Sequence, residues 1–215
     1  MHRLSAIFFS VVALSACTGA KSSLPSESLM SSPSVTVDSL PEARVQGPFD
    51  THLLVAFDVR PGRLVADVRY ALRNDGQVPL IVFDRGTVHG ADIGQQTLGG
   101  VGVPMQESTG EDVTLVHAAM PLPDPSPTSP PTPLGVELAP GASLAAQFQV
   151  MLQGPSLPKR LRWCVGVMPF DEKLLSSPLQ TKDGLVWTAS FESAERQERL
   201  CTPWYDTVNT RFEGS

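Results

Sequence analysis

From Thr51 onward the chain alternates. Leu53, Val55, Phe57 and Val59 recur at every second position between Thr51 and Arg60. A period of two sends successive side chains to opposite faces, the pattern of a half-buried strand. Pro61-Gly62 marks a turn. Leu64, Ala66, Val68, Tyr70 and Leu72 then alternate with Val65, Asp67, Arg69, Ala71 and Arg73, and Asn74-Asp75-Gly76 closes this second strand with a turn signal. Val78 to Phe83 is a short, continuous apolar run rich in β-branched residues, which predicts a more deeply buried strand.

The middle of the chain is less regular. Arg85 to Asp112 is glycine-rich, and within it Val101–Glu107 is expected to pair with Val113–Ala119 around Ser108-Thr109-Gly110-Glu111-Asp112. Pro121 to Pro133 is dense in proline, serine and threonine, the composition of an exposed loop with polyproline character. Pro140-Gly141 opens another turn, after which Leu144, Ala146, Phe148, Val150 and Leu152 alternate cleanly. Leu161, Trp163, Val165 and Val167 follow as a further strand, then Leu185, Trp187, Ala189 and Phe191. Glu195 to Leu200 reads as a short helix or an edge strand, and Cys201 to Tyr205 as the end of the ordered part. No long amphipathic helix is present. About seven or eight short strands separated by turn signals predict an all-β, antiparallel sandwich, with a barrel as the other closed solution.

The succession of strand, Asn74-Asp75-Gly76, apolar strand, and later a Pro-Gly turn before a strand resembles the immunoglobulin-like modules of bacterial envelope proteins. The resemblance covers residues 49 to about 200 and implies a two-sheet sandwich. It departs from the antibody pattern of a tryptophan between two inter-sheet cysteines, because Trp163 adjoins Cys164 and both cysteines lie late in the chain.

The first residues divide into the parts of an export signal: Arg3 beside His2, an apolar run from Ala6 to Leu14, then Ser15 and Ala16 before Cys17. The run is too short for a spanning helix, which needs about 20 residues. Leu14-Ser15-Ala16-Cys17 resembles a lipobox, the processing site of bacterial lipoproteins. That resemblance implies a diacylglyceryl group on the Cys17 thiol, cleavage before it, and attachment to a membrane through several acyl chains, each buried methylene contributing about 0.8 kcal/mol. Thr18 stands where an aspartate commonly retains such proteins at the inner membrane, so the resemblance favours an outer membrane, facing the periplasm, if the organism has one. Three segments are expected: a signal peptide over 1–16, a lipid-anchored Ser/Pro-rich linker over 17–47, and a β-sandwich over 48–215. The linker has too few aromatic residues to offset its ordering entropy by burial, which predicts a disordered tether.

Composition narrows the partners. The precursor carries a formal charge of −6, and loss of Arg3 with the signal makes it −7. An acidic chain without a basic run is a poor match for nucleic acid. With Cys17 lipidated, Cys164 and Cys201 are left, an even pair in an oxidising compartment, and a disulfide between them is expected. The alternatives are two free thiols or a metal pair, but zinc asks for about four closely spaced ligands and no second cysteine or histidine lies near either.

Chemical signatures are sparse. No G-x-S-x-G, H-E-x-x-H, Walker loop or C-x-x-C occurs. Gly99-Gly100-Val101-Gly102 lacks the helix and Lys-Ser/Thr of a phosphate loop and reads as a flexible loop. An envelope hydrolase would need Ser or Asp gathered around His89 or His117. A copper site would have to use Cys164 with Met168, or His117 with Met120. Asp84-Arg85 with His89 forms a candidate polar site at a strand end, with a solvated ion pair as the plainer reading. Trp187, Trp204 and Tyr205 are candidates for a binding face or for packing. These features favour a non-enzymatic module without a cofactor or metal, bound to the membrane through Cys17 and to another envelope protein.

Overall fold

The computed structural model describes residues 40–214. The signal segment, Cys17 and most of the linker lie outside the described residues. In chain order the strands are β1 Glu42–Gln46, β2 Thr51–Arg60, β3 Val65–Asn74, β4 Leu80–Val82, β5 Met105–Thr109, β6 Asp112–His117 and β7 Leu134–Leu138. They continue with β8 Ser143–Met151, β9 Arg160–Pro169, β10 Leu175–Thr181, β11 Gly184–Ala189, β12 Glu198–Cys201, β13 Tyr205–Asp206 and β14 Arg211–Phe212. Two short helices interrupt them, α1 Val88–Asp92 and α2 Ser193–Arg196. Neither is long and apolar enough to cross a membrane.

The strands form two sheets packed face to face, a β-sandwich. The first is antiparallel with order β1-β2-β3-β8. The second runs β10-β11-β7-β4-β9-β13-β14, with β12 also on β9 and the β5–β6 hairpin attached through β6. The β6–β9 pairing is parallel, from Asp112↔Arg160 to His117↔Val165, a departure from the wholly antiparallel expectation. β5 runs opposite to β6, so the turn of the β5–β6 hairpin is what brings the chain alongside β9 in the direction of that strand.

Alternation explains the first sheet. Leu53, Val55 and Phe57 of β2, Ala66, Val68, Tyr70 and Leu72 of β3, and Leu144, Phe148 and Val150 of β8 are all buried on the face that meets the second sheet. Opposite them lie Leu115, Val136, Leu161, Trp163, Val165 and Leu200. Each Leu, Val and Phe among them contributes roughly 1.5–3 kcal/mol on burial. Leu64, expected to begin the β3 face, instead sits in the preceding turn with φ of 49°.

The second sheet has a further apolar layer on its outer side, where Ile81, Phe83, Met168, Leu174, Leu175 and Ala189 cluster with Phe170 and Trp187. This is why β4 is a continuous apolar run: Val82 faces one core and Ile81 the other, and Leu80 is buried as well. It also shifts β11, where Val186 rather than Leu185 or Trp187 enters the inter-sheet core. Asn74 ties the sheets together at one end. Its side-chain oxygen accepts from the Gly76 amide at 3.0 Å, and its amide donates to the Val78 and Leu138 carbonyls at 2.9 and 3.1 Å.

One boundary moves. Glu42–Gln46, expected within the linker, is the edge strand β1. The fourteen strands of the described residues exceed the expected seven or eight because β12, β13 and β14 are short and β7 and β10 are poorly patterned.

Candidate functional site

Beside the open edge of the first sheet lies a cleft of about 660 Å³. Residues 97–101 form one wall, residues 179–183 of the β10–β11 hairpin another, and residues 145–147 of β8 the third. Exposed Leu98 and Leu179 rim it. Val101 and Ala146 line it and also pack against the inter-sheet core.

Ala146 pairs with Tyr70, which leads from the cleft to a group of buried polar side chains. The Tyr70 hydroxyl donates to Asp84 Oδ2 at 2.5 Å. Asp84 Oδ1 lies 3.2 Å from Arg85 Nε, and both side chains are fully buried. Burial pushes the Asp84 carboxyl up, opposed by the Arg85 charge and the Tyr70 hydrogen bond. Burial, then the Asp84 charge, drives the Tyr70 hydroxyl up as well. The loop that walls the cleft is bonded to this group, since the Gly102 amide donates to the Asp84 carbonyl at 2.9 Å. Gly102 is required there because a Cβ would stand 2.6 Å from Gly86 Cα.

His117 completes the group. The Trp163 indole, which can only donate, gives its hydrogen to His117 Nδ1 at 3.0 Å. The proton of the neutral ring is therefore on Nε2, which donates to the Gly102 carbonyl at 3.0 Å. Burial, with a smaller push from Arg85, lowers its pKa from 6.5 to about 4. A neutral imidazole with both nitrogens engaged has no lone pair to offer a substrate proton or a metal.

No protein-family model matches the chain, and no curated protein or solved structure matches it either.

The other sequence candidates separate in space. Cys164 and Cys201 are joined by a disulfide, as expected, between neighbouring strands β9 and β12 with Cα atoms 4.0 Å apart. The Cys164 sulfur is thus committed, and Met168 belongs to the outer apolar layer. No group of three or more metal-ligating residues occurs among the described residues. Asp84 and Arg85 are not a solvated pair but sit in the interior, and they share no hydrogen bond with half-buried His89, whose Nδ1 lies 3.2 Å from Ser129 Oγ. No carboxylate bonds that His89–Ser129 pair among the described residues.

The three aromatic candidates do not share a face. Trp187 donates to Glu137 Oε2 at 3.0 Å and packs edge-on to Phe170. Trp204 lies under the Arg160 and Arg162 guanidinium groups, 5.0 and 4.4 Å from its ring centre. Tyr205 is core, against Phe57 and Phe212. Gly99-Gly100-Val101 proves to be a cleft wall. The contribution of β10 was hidden in sequence, because Leu175-Ser176-Ser177-Pro178-Leu179 has no clean period.

Proposed function

We propose that this protein is a lipid-anchored binding module of the cell envelope, held by Cys17 and presenting its sandwich to another envelope protein. On this reading it faces the periplasm from the outer membrane in an organism that has one. The supporting observation is the contrast between the cleft and the polar residues beneath it. The cleft is open and rimmed by exposed Leu98 and Leu179. The groups suited to acid–base work, His117 and Asp84, are enclosed and engaged with Trp163, Gly102 and Tyr70. Apolar clefts on rigid scaffolds walled by loops suit recognition. The signal-like start and the Ser/Pro-rich linker supply address and reach.

Crosslinking in intact cells, affinity isolation and mass spectrometry test the reading, with Cys17→Ser and an unrelated lipoprotein as controls. One envelope protein should be recovered with the wild type and lost with both Cys17→Ser and Leu179→Asp. Recovery of the same proteins from all samples, or of none, overturns it.

A further inference from the structure

We infer that the cleft takes an extended, uncharged segment of a partner protein, with apolar residues at alternate positions, which adds to β8 as a fifth strand of the first sheet. The inference rests on the binding-module reading and names the chemistry of the partner.

The cleft is lined by the backbone edge of β8. Ala145 and Gln147 point to one face of the sheet and Ala146 to the other, yet all three line it. Consecutive residues of opposite orientation share a wall only along the edge of their strand. The hydrogen-bond phase of that edge follows from its two ends. The Asn74 amide donates to the Ala142 carbonyl, and the Leu152 amide donates to the Leu64 carbonyl. Even-numbered residues of β8 therefore bond to β3, and the N–H and C=O groups of Ala145, Gln147 and Gln149 point outward. The Met151 carbonyl accepts from Gln106 Nε2, in agreement with this phase. Among the described residues no strand pairs with β8 on that side.

Natural sheets blunt exposed edges with charge, proline or a bulge. The sequence of β8, Ser-Leu-Ala-Ala-Gln-Phe-Gln-Val-Met, has no charge and no proline, and its register with β3 is continuous over nine pairs. The facing edge strand β10 is blunted, by Pro178 and by a bulge at Ser177, whose φ is 49°. One edge of the cleft is open to pairing and the other is closed.

The occupant follows from the walls. A strand on β8 turns alternate side chains toward Val101, Ala146, Leu98 and Leu179, which asks for apolar residues at those positions. The only charged residues of the lining are Lys182 and Asp183, neighbours of opposite sign at the hairpin tip, so neutral walls meet a neutral segment. The lining comprises thirteen residues, against roughly 20–30 a side in a stable protein–protein interface. That suits a peptide segment rather than a second copy of the sandwich.

The test uses detergent-solubilised full-length protein and a fluorescent panel of capped, uncharged hexapeptides with valine, leucine or isoleucine alternating with threonine, read by anisotropy. Alternating members should bind, and block-scrambled versions should bind about tenfold more weakly. N-methylation of the peptide amides that face β8 should also weaken binding about tenfold, with the protein untouched. Gln147→Pro removes an outward N–H without touching the β3 ladder and should have a similar effect. Gln147→Thr keeps the outward N–H and a neutral wall, and should bind about tenfold more tightly than Gln147→Pro. Insensitivity to N-methylation, or no binding by any member, overturns the inference. So does a concentration-dependent dimer abolished by Gln147→Pro, which assigns the edge to a second copy, or tighter binding of a peptide spanning residues 34–39, which assigns it to this chain. A crosslinked partner lost with Leu179→Asp but retained with Gln147→Pro sinks strand addition while leaving the binding module standing.

Discussion

His117 is an imidazole placed where it cannot easily become an imidazolium. Its pKa falls from 6.5 to about 4, chiefly through burial. Above pH 6.5 neither the folded nor the unfolded ring holds the extra proton. Between 6.5 and about 4 the unfolded chain takes it up and the folded chain does not, so stability falls with pH across that window. The loss reaches about 3 kcal/mol at its acid end. Asp84, whose carboxyl is pushed up, works with the opposite sign: it contributes stability below its unfolded value that is lost as pH rises through its folded one. The two are separated by comparing wild type with His117→Gln in urea unfolding at pH 7.5 and pH 4. The wild-type advantage should shrink by about 3 kcal/mol at the lower pH; parallel profiles would refute the assignment. None of this was legible in sequence, where Asp84-Arg85 follows an apolar run and reads as a solvated pair. Its buried partner is Tyr70, which sits among aliphatic neighbours on the β3 face and looks like one more core residue until its hydroxyl meets Asp84.

Strands with one wet face were legible together with their phase; of those covered on both faces β4 and β9 were legible as strands while β11 lost its phase, and strands shorter than a full period were not legible. β2, β3 and β8 alternate because the outer side of the first sheet meets solvent, and the sequence period marks the inward residues correctly. β11 is covered on both sides, so its alternation carries no phase, and Val186 takes the place expected of Trp187. β7 follows directly on the proline-rich loop, and β1 lies in what composition marks as linker. The cleft inherits this pattern: its β8 wall was visible, while the β10 wall was masked by Pro178 and the bulge. At this scale the disulfide has a definite task. β12 is only four residues long, and the bond to Cys164 fastens it, with the chain leading to Tyr205 and Phe212, against β9. Closing 37 residues restricts the unfolded chain by about 4 kcal/mol in the chain-entropy account. The Cys164→Ala/Cys201→Ala double variant should lose roughly that amount in urea unfolding at pH 7.5. A loss below about 1 kcal/mol would mean that the β9–β12 ladder and the Tyr205–Phe57 contact hold this segment without the bond.

At the scale of the whole molecule, the proposed binding cleft and the proposed anchor would act together. The sandwich begins at β1, an edge of the first sheet, and the cleft lies beyond β8, the opposite edge. β2 and β3 lie between these two edge strands, with neighbouring strands spaced about 4.8 Å apart. Lipidated Cys17 would restrict the domain to the depth its linker allows, which raises the local concentration of any partner anchored in the same membrane. The expected consequence is separable from the fold. Mature wild-type protein should partition into the detergent phase of a cloud-point extraction, and metabolic labelling with a palmitate analogue should mark it. Cys17→Ser should lose the label and move to the aqueous phase, while its urea midpoint matches wild type, because the apolar clusters of the described residues begin at Ala43, far along the chain from Cys17. An unlabelled wild type, or a Cys17→Ser form that still partitions with detergent, would remove the anchor from this account and leave the cleft to act as a soluble receptor.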